Sequence, residues 1–278
     1  MQVNLVSLDV EVLDRQGMPV DNLKRNDFTV RENGSPVEIS NFSLLSDLSL
    51  SVVVVLGTAF MPQANLGLAK DAIFQLAYLL KPEDEISLYT FDQKDAYCEQ
   101  EFTRDRPKLA KALENIGTTS RSRRPSRLAR GFATPPQAGL GIDIGLAAAK
   151  KGAHRRKALI LIRDRMESLG PASLQHVQES RCTLIALGFS TDGKDLLTLI
   201  SDQSGSGQLI MGSAEVRSSD EEGNVTELCR TIARLLSSRY SITYHTPLPE
   251  SRGSRQIEVL VPEHDYRILA RRTYAPAR

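Results

Sequence analysis

The sequence has no apolar run near the roughly 20 residues that a helix needs to cross a bilayer, so no helical membrane span is expected. It also has almost no charge imbalance. Its 35 Lys and Arg against 34 Asp and Glu leave a net +1, which excludes a whole-protein field for nucleic acid or membrane and leaves an electrostatic partner to a local patch. Cysteine is scarce: Cys98, Cys182 and Cys229 lie far apart, with no Cys-x-x-Cys spacing and no His beside them. That excludes a zinc ribbon or a redox pair and predicts buried thiols outside any disulfide. The start, MQVNLVSLDV, alternates like a strand and lacks a basic segment followed by an apolar one. No export signal is therefore expected in this sequence, which fits a cytoplasmic chain or one whose leader has been removed.

The signatures of catalysis on an α/β fold are missing too. A nucleotide-binding enzyme needs Gly-x-Gly-x-x-Gly or Gly-x-x-x-x-Gly-Lys-[Ser/Thr] after its first strand, so that backbone amides reach phosphates. The corresponding stretch here, Gly57-Thr58-Ala59-Phe60-Met61-Pro62, has neither, and Pro62 removes one amide. A hydrolase needs a Ser or Cys elbow served by a His. The four histidines, His154, His176, His245 and His264, stand away from strand ends, and Gly205-Ser206-Gly207 lies in a turn with no strand before it. The sequence thus points to a non-catalytic protein with no cofactor. An enzyme for a small molecule or nucleotide, on a doubly wound fold, remains the competing class.

What the sequence does contain is an alternation of β-branched runs and helical patterns, organised around Ser51-Val52-Val53-Val54-Val55-Leu56-Gly57. A short run of this kind, stopped by Gly and followed by a helical pattern, reads as a strand buried on both faces. The spacing predicts a helix from Pro62, placed in its first turn, to Leu80, and then a strand over Glu85 to Phe91. An edge strand over Tyr97 to Phe102 and a short helix over Lys108 to Ile116 follow. Gly117 to Ala138 reads as a long exposed loop carrying Arg121, Arg123, Arg124, Arg127 and Arg130. Beyond it come a helix over Gly139 to Lys151, a strand over Lys157 to Asp164, a helix around Ala172 to Ser180 and a strand over Cys182 to Gly188. A helix at Asp195 to Ser201, a short strand at Gln208 to Met211 and a helix from Asp220 to Ser237 complete the alternation. Strands alternating with helices predict an α/β fold with a doubly wound, mostly parallel, Rossmann-like sheet.

Both ends of the chain read as β. Residues 2 to 12 alternate with period two, and Phe28 to Arg31 leads through an Asn33-Gly34 hairpin turn into a second arm through Val37, Ile39 and Phe42. Tyr240 to Tyr244, Ile257 to Val261 and Tyr266 to Leu269 are the last strands. Neither end holds a core alone. The expected organisation is therefore a β segment over 1–47, an α/β domain over 48–238, and a second β segment over 239–278 packing with the first.

Taken together, these residues resemble the proteins with a von Willebrand factor type A domain, in the bacterial group where short β segments frame it. The resemblance rests on Leu13-Asp14-Arg15-Gln16-Gly17-Met18-Pro19-Val20, Asn26-Asp27-Phe28 and Glu32-Asn33-Gly34 at the front. In the core it rests on Val52 to Leu56, Leu80-Lys81-Pro82-Glu83-Asp84 and Lys157 to Asp164, and at the end on Arg239 to Tyr244 and Arg271 to Pro276. It implies adhesion or assembly through a protein partner, and an exported or cell-envelope setting. It also implies a Mg²⁺ site: Asp-x-Ser-x-Ser after the first core strand, a Thr from a second loop and an Asp after the fourth strand. Laid onto this chain, the Asp falls on Gly57 and the two Ser on Ala59 and Met61. The Thr falls on Leu140, or on Thr118 or Thr119 if the loop is expanded. Asp164 alone survives, with Arg163 and Arg165 as salt-bridge partners.

A single carboxylate does not hold Mg²⁺, which keeps its waters tightly and demands near-octahedral oxygen ligands, so no metal is expected. The binding residues expected are Gly57, Thr58, Ala59, Met61, Leu140 and Asp164, together with Arg121, Arg123, Arg124 and Arg127 for an acidic partner. The arginine run has no aromatic residue interleaved for base stacking, which argues against nucleic acid.

Overall fold

The computed structural model describes residues 5–15, 18–45, 48–92, 95–117, 138–164, 180, 182–189, 197–200, 221–247, 254–262, 264–270 and 273–274. It opens with β1 (Leu5–Leu13), in which Val6, Leu8, Val10 and Val12 are buried while Leu5 is exposed, as period-two alternation requires. A one-turn 3-10 helix (Arg25–Asp27) leads to β2 (Thr29–Glu32) and β3 (Ser35–Val37). Asn33 and Gly34, at φ 49° and 82°, make the two-residue hairpin turn between them, since left-handed backbone matches the twist of the flanking strands. The second arm is not continuous, contrary to the sequence expectation. It ends at Val37, and β4 (Ile39–Leu44) enters a different sheet.

β5 (Leu50–Gly57) is buried at every residue. It pairs in parallel with β6 (Glu85–Phe91) on one side and β8 (Arg156–Arg163) on the other, Val52 standing level with Ile86 and Ala158. β7 (Ala96–Thr103) closes one edge, antiparallel to β6, and β9 (Thr183–Phe189) runs parallel to β8. The outer strand is β10 (Leu197–Ile200), antiparallel to β9, where the sequence predicted a helix over Asp195 to Ser201. Four residues give too little periodicity to choose between the two, and the open edge of β9 offers Leu197-Thr198-Leu199-Ile200 backbone partners that a single helical turn lacks.

Helices flank this sheet. α1 (Gln63–Leu79) buries Leu66, Ala69, Ala72, Ile73, Leu76 and Ala77. Pro62 is its N-cap rather than part of its first turn, and Leu80 its C-cap. α2 (Arg106–Glu114) starts at Asp105, whose carboxylate accepts the Lys108 amide at 3.2 Å. α3 (Ala138–Ala149) packs on β5 and β8. α4 (Glu221–Ser237) lies beside α1, with Cys229 Sγ donating to Ala72 O at 3.3 Å and Thr226 Oγ1 to Gln75 Oε1 at 2.8 Å. The expected loop at Gly117 to Ala138 lies outside the described residues but for its ends. The expected strand at Gln208 to Met211 lies wholly outside them, and of the helix around Ala172 to Ser180 only its last residue is described, as helix.

The chain closes with β11 (Tyr240–His245), β12 (Arg255–Leu260), β13 (Arg267–Ala270) and β14 (Thr273–Tyr274). They interleave with the first strands in two sheets, ordered β13-β1-β11-β4 and β14-β12-β2-β3. Their buried residues form one cluster, centred on Phe28 and Tyr240 at 5.1 Å between ring centroids. Tyr240 donates its hydroxyl proton to Val20 O at 2.7 Å and accepts from the Leu23 amide at 3.0 Å. Two charge pairs lie inside this cluster. Arg239 Nη2 meets Glu11 Oε2 at 3.2 Å, and Arg255 Nη1 meets Glu32 Oε1 at 3.1 Å and donates to Tyr274 OH at 2.7 Å. Burial pushes the Glu11 carboxyl up to about 7 despite Arg239.

The described residues thus fall into two compact units, one from 1–47 with 234–278 and the other from 48–202 with 211–233.

Candidate functional site

The order across the six-stranded sheet is β10-β9-β8-β5-β6-β7, so the direction of winding reverses between β5 and β8. In open α/β sheets, ligands enter the crevice beyond the carboxyl ends of the strands at this switch point. β5 ends there in Gly57 and β8 in Arg163, followed by Asp164. Gly57, Thr58, Ala59, Met61 and Asp164 therefore share one end of the sheet, and Leu140 stands in the first turn of α3. Arg121, Arg123, Arg124 and Arg127, with Thr118, Thr119 and Arg165, lie outside the described residues.

The loop after β5 is closed on its own backbone. Thr58 donates twice to Phe91 O, from its amide at 2.9 Å and from its hydroxyl at 3.2 Å, and the Met61 amide donates to Thr58 O at 3.4 Å. Between them Phe60 adopts φ 59° and leaves 84% of its surface in water. A bulky side chain in left-handed backbone is strained, and here no burial of the ring compensates it.

Gly57 stands where a carboxylate would begin a cation site. A Cβ there would lie 2.9 Å from Phe91 Cζ and 3.1 Å from Arg163 Cγ, so the position is already filled by its neighbours. From the other side Phe91 packs against α3, where a Cβ on Gly141 would come within 3.0 Å of Phe91 Cε1. The Arg163 guanidinium carbon sits 5.8 Å from the Phe91 ring centroid, in the range of a cation–π contact. Its Nη1 is buried with no hydrogen-bond partner among the described residues.

Asp164 does not pair with Arg163, contrary to the sequence expectation. Its Oδ1 accepts from Asn65 Nδ2 on α1 at 2.7 Å, and its carbonyl accepts the Phe189 amide at 3.2 Å. Successive residues along a strand face opposite ways, so Arg163 goes to the Gly57 side while Asp164 reaches α1. Asn65 is 5% exposed and its Oδ1 is left without a partner.

These residues do not fit a divalent cation. Gly57, Ala59 and Met61 supply no side-chain oxygen, Thr58 has already turned its hydroxyl to Phe91 O, and the Phe91 ring and the Arg163 stem fill the space a side chain at position 57 would need. Among the described residues no three His, Cys, Asp or Glu are grouped to hold a metal ion.

Nucleophiles and bases lie elsewhere. Cys182 and Cys229 are buried, Cys98 is half-buried, and none is in a disulfide. Burial pushes the Cys98 thiol up to about 11 and that of Cys229 up to about 12, so neither carries thiolate at neutral pH. His154 Nε2 lies 3.0 Å from Glu83 O, and His264 stacks on Tyr266 at 4.7 Å.

At the amino ends of the same strands stands a second polar cluster. Ser51 Oγ donates to Glu85 Oε1 at 2.8 Å while accepting the His154 amide at 3.0 Å, and Glu85 Oε1 also accepts the Ala153 amide at 2.5 Å. Asp84 accepts from the Leu50 amide at 2.7 Å and the Lys81 amide at 3.0 Å. Lys157 Nζ donates to Gly152 O at 2.6 Å, and Arg106 Nη2 to Lys81 O at 3.0 Å and Asp84 O at 3.1 Å.

The residues that sequence reasoning missed are Phe91, Asn65 and the contact of Arg163 with the Phe91 ring. The signal for Phe91 is its place at the carboxyl end of β6, level with Gly57. Phe60 lies inside the span that was expected, but its exposure is visible only in three dimensions.

No family model matches this chain, and neither does any curated protein. Among solved structures it is similar to a von Willebrand factor type A protein from Catenulispora acidiphila, at 10% identity, 99% of this chain, 73% of that one and a TM-score of 0.48. It is similar to the mussel byssus proximal thread matrix protein 1, at 10% identity over 71% of this chain with a TM-score of 0.45, and spans 50% of that protein's length. It is also similar to a D319A mutant of the PilB minor pilin of Streptococcus sanguinis, at 12% identity over 69% of this chain and 63% of that one with a TM-score of 0.44. These scores are low, and the fold stands on the strand order and register themselves.

Proposed function

We propose that this chain is a non-catalytic protein-interaction module of the von Willebrand factor type A kind, with its contact surface at the carboxyl ends of β5 and β8. Its metal site is degenerate, and it binds its partner by direct packing with no bridging cation. The observation that carries this reading is Phe60, an aromatic ring 84% exposed in left-handed backbone beside the switch point. Backbone strain without a folding benefit is accounted for if the ring is presented to something outside the chain. Aromatic anchors of this kind dominate interface energetics. The Gly57–Phe91–Arg163 packing supports the metal-free half of the proposal, because it fills the position from which a ligand carboxylate would reach a cation.

The test is capture of partners from the native source by the full chain, with and without chelator, compared with Phe60→Ser. The expected outcome is a partner retained by wild type in chelator and lost from Phe60→Ser. Capture that disappears on chelation, or that ignores the Phe60 substitution, would overturn the reading.

A further inference from the structure

We propose that the β-rich unit takes up an extended, acidic segment of a partner protein, which adds as a strand to the outer edge of β13 in the groove between β13 and β12. The argument is independent of the contact surface at β5 and β8.

The groove is half-open, has a volume of about 630 Å³ and is lined by Ile257, Glu258, Val259, Ile268, Ala270 and Thr273 among others, a size that suits a ligand site. It exists because β13 and β14 part company. β14 pairs with β12 at Arg255 and Gln256, and continuing that register would set Ala270 opposite Val259. Ala270 pairs with Val10 of β1 instead, in the other sheet, and the ladder along β12 stops.

The main chain on both walls is aimed into this gap. Leu13 of β1 pairs with Arg267 on one side and bridges Pro19 on the other, and the Val12 carbonyl accepts the Val20 amide at 2.8 Å. Val12 therefore directs its peptide groups away from β13. Its partner Ile268, and by alternation Ala270, direct theirs away from β1. On β12 the Gln256 carbonyl accepts the Asn33 amide at 2.9 Å, so Gln256 faces β2 and Val259, three residues on, faces away from it. Among the described residues no strand lies beyond β13, and β14 covers only Arg255 and Gln256 of β12. Val259 and Ala270 are each 8% exposed, and peptide groups so screened from water are normally matched. An edge of this kind is the template for a further strand.

The side chains select the strand. Its inward face meets Ile257, Val259 and Ile268 and calls for apolar residues at alternate positions. The run Tyr266 to Thr273 holds Arg267, Arg271 and Arg272 with no carboxylate, while Glu258 across the groove is paired with Arg31 at 3.5 Å. The intervening positions of the added strand are therefore acidic. A second copy does not fit: pairing two β13 edges through Ile268 and Ala270 sets Arg267 opposite Arg271 of the other copy, and like charges directly opposite repel.

The experiment titrates the isotope-labelled full chain with a capped hexapeptide of alternating Glu and Val, following backbone amide resonances. Controls are the same peptide N-methylated at alternate amides, which cannot extend a ladder, and alternating Lys and Val. The expected result is a saturable shift centred on Val259, Ile268 and Ala270, lost on N-methylation and about 5-fold or more weaker for the Lys peptide. Ala270→Pro deletes an outward amide while sparing the ladder to β1, and should abolish the shift with the β1 amides unchanged. No shift at these residues overturns the proposal, as does equal binding of the N-methylated peptide, which would mark a merely apolar pocket. Equal or tighter binding of the Lys peptide overturns the acidic partner, and self-association of the chain through these same amides makes the occupant a second copy.

Discussion

At the amino ends of β5, β6 and β8, charged groups close on one another and on the backbone with Arg106 Nη1 left over, whereas at the carboxyl ends Arg163 meets the Phe91 ring and no carboxylate among the described residues. Glu85 holds Ser51 and the Ala153 amide, Asp84 holds two amides, and Lys157 and Arg106 reach carbonyls. The β-rich unit follows the same rule in its own core, where Arg239 and Arg255 each meet a carboxylate. Buried charge is ordinarily matched because desolvation would otherwise raise its cost beyond what packing returns. Single unmet atoms remain in all three places among the described residues: Arg163 Nη1 and Asn65 Oδ1 at the carboxyl end, Arg106 Nη1 at the amino end, and Glu11 Oε1, Glu32 Oε2 and Arg239 Nε in the β-rich core; what sets Arg163 apart is that it has no carboxylate or carbonyl beside it and lies over the Phe91 ring.

The sharpest way to break the comparison is to make a matched arginine resemble Arg163. Glu32→Ala removes the carboxylate facing Arg255, which is only 1% exposed, and should destabilise the chain by roughly 3–5 kcal/mol in denaturant titration. A loss below about 1 kcal/mol would mean that Thr246 and Tyr274 suffice as partners, and that burial of an arginine without a carboxylate is unremarkable in this chain.

A matched pair also carries a pH signature. Glu11 titrates at about 7 in the folded chain, above its ordinary value of 4.5, because burial outweighs Arg239. A raised carboxyl favours the protonated folded state, so its contribution is complete below 4.5 and is lost as pH rises through about 7. Wild type should therefore lose stability relative to Glu11→Gln between those two values, by about 3 kcal/mol, and run parallel to it outside them. A difference that grows in the opposite direction would show that Arg239 dominates and that the pair is held fully charged.

The smallest effect is expected at Arg163, and its sign is what matters. Arg163→Met keeps the length and the apolar contact with Phe91 while removing the unmet donors, so stability should be unchanged or higher by about 1 kcal/mol. A destabilisation of about 2 kcal/mol or more would give Arg163 a structural task and return the carboxyl end to the rule of the amino end.

Much of this architecture is legible in the residues. Val52 to Leu56, Ile86 to Phe91, Leu159 to Ile162 and Leu184 to Leu187 are apolar strands too short for helices, and the amphipathic spacing from Leu66 to Leu76 identifies α1. Three local features were not legible. β10 was read as helix because four residues carry no usable period, and the hairpin arm after Gly34 was read as one strand because nothing in Pro36-Val37-Glu38-Ile39 announces a change of sheet. Asp164 was given to Arg163 because adjacency in sequence hides the alternation of a strand.

By itself the sequence determined that a buried parallel strand ends in Gly57 and that the loop beyond it supplies no carboxylate. Those are properties of residue type and short-range order, fixed by hydrophobic patterning and by the presence or absence of oxygen atoms. The tertiary structure alone decided that Phe91 and Arg163 fill the space above Gly57, that Asn65 reaches Asp164 from α1, and that Phe60 stands in water. These contacts join residues separated by 34 to 106 positions, and whether a charge finds its partner depends on which strands become neighbours and which way each side chain faces.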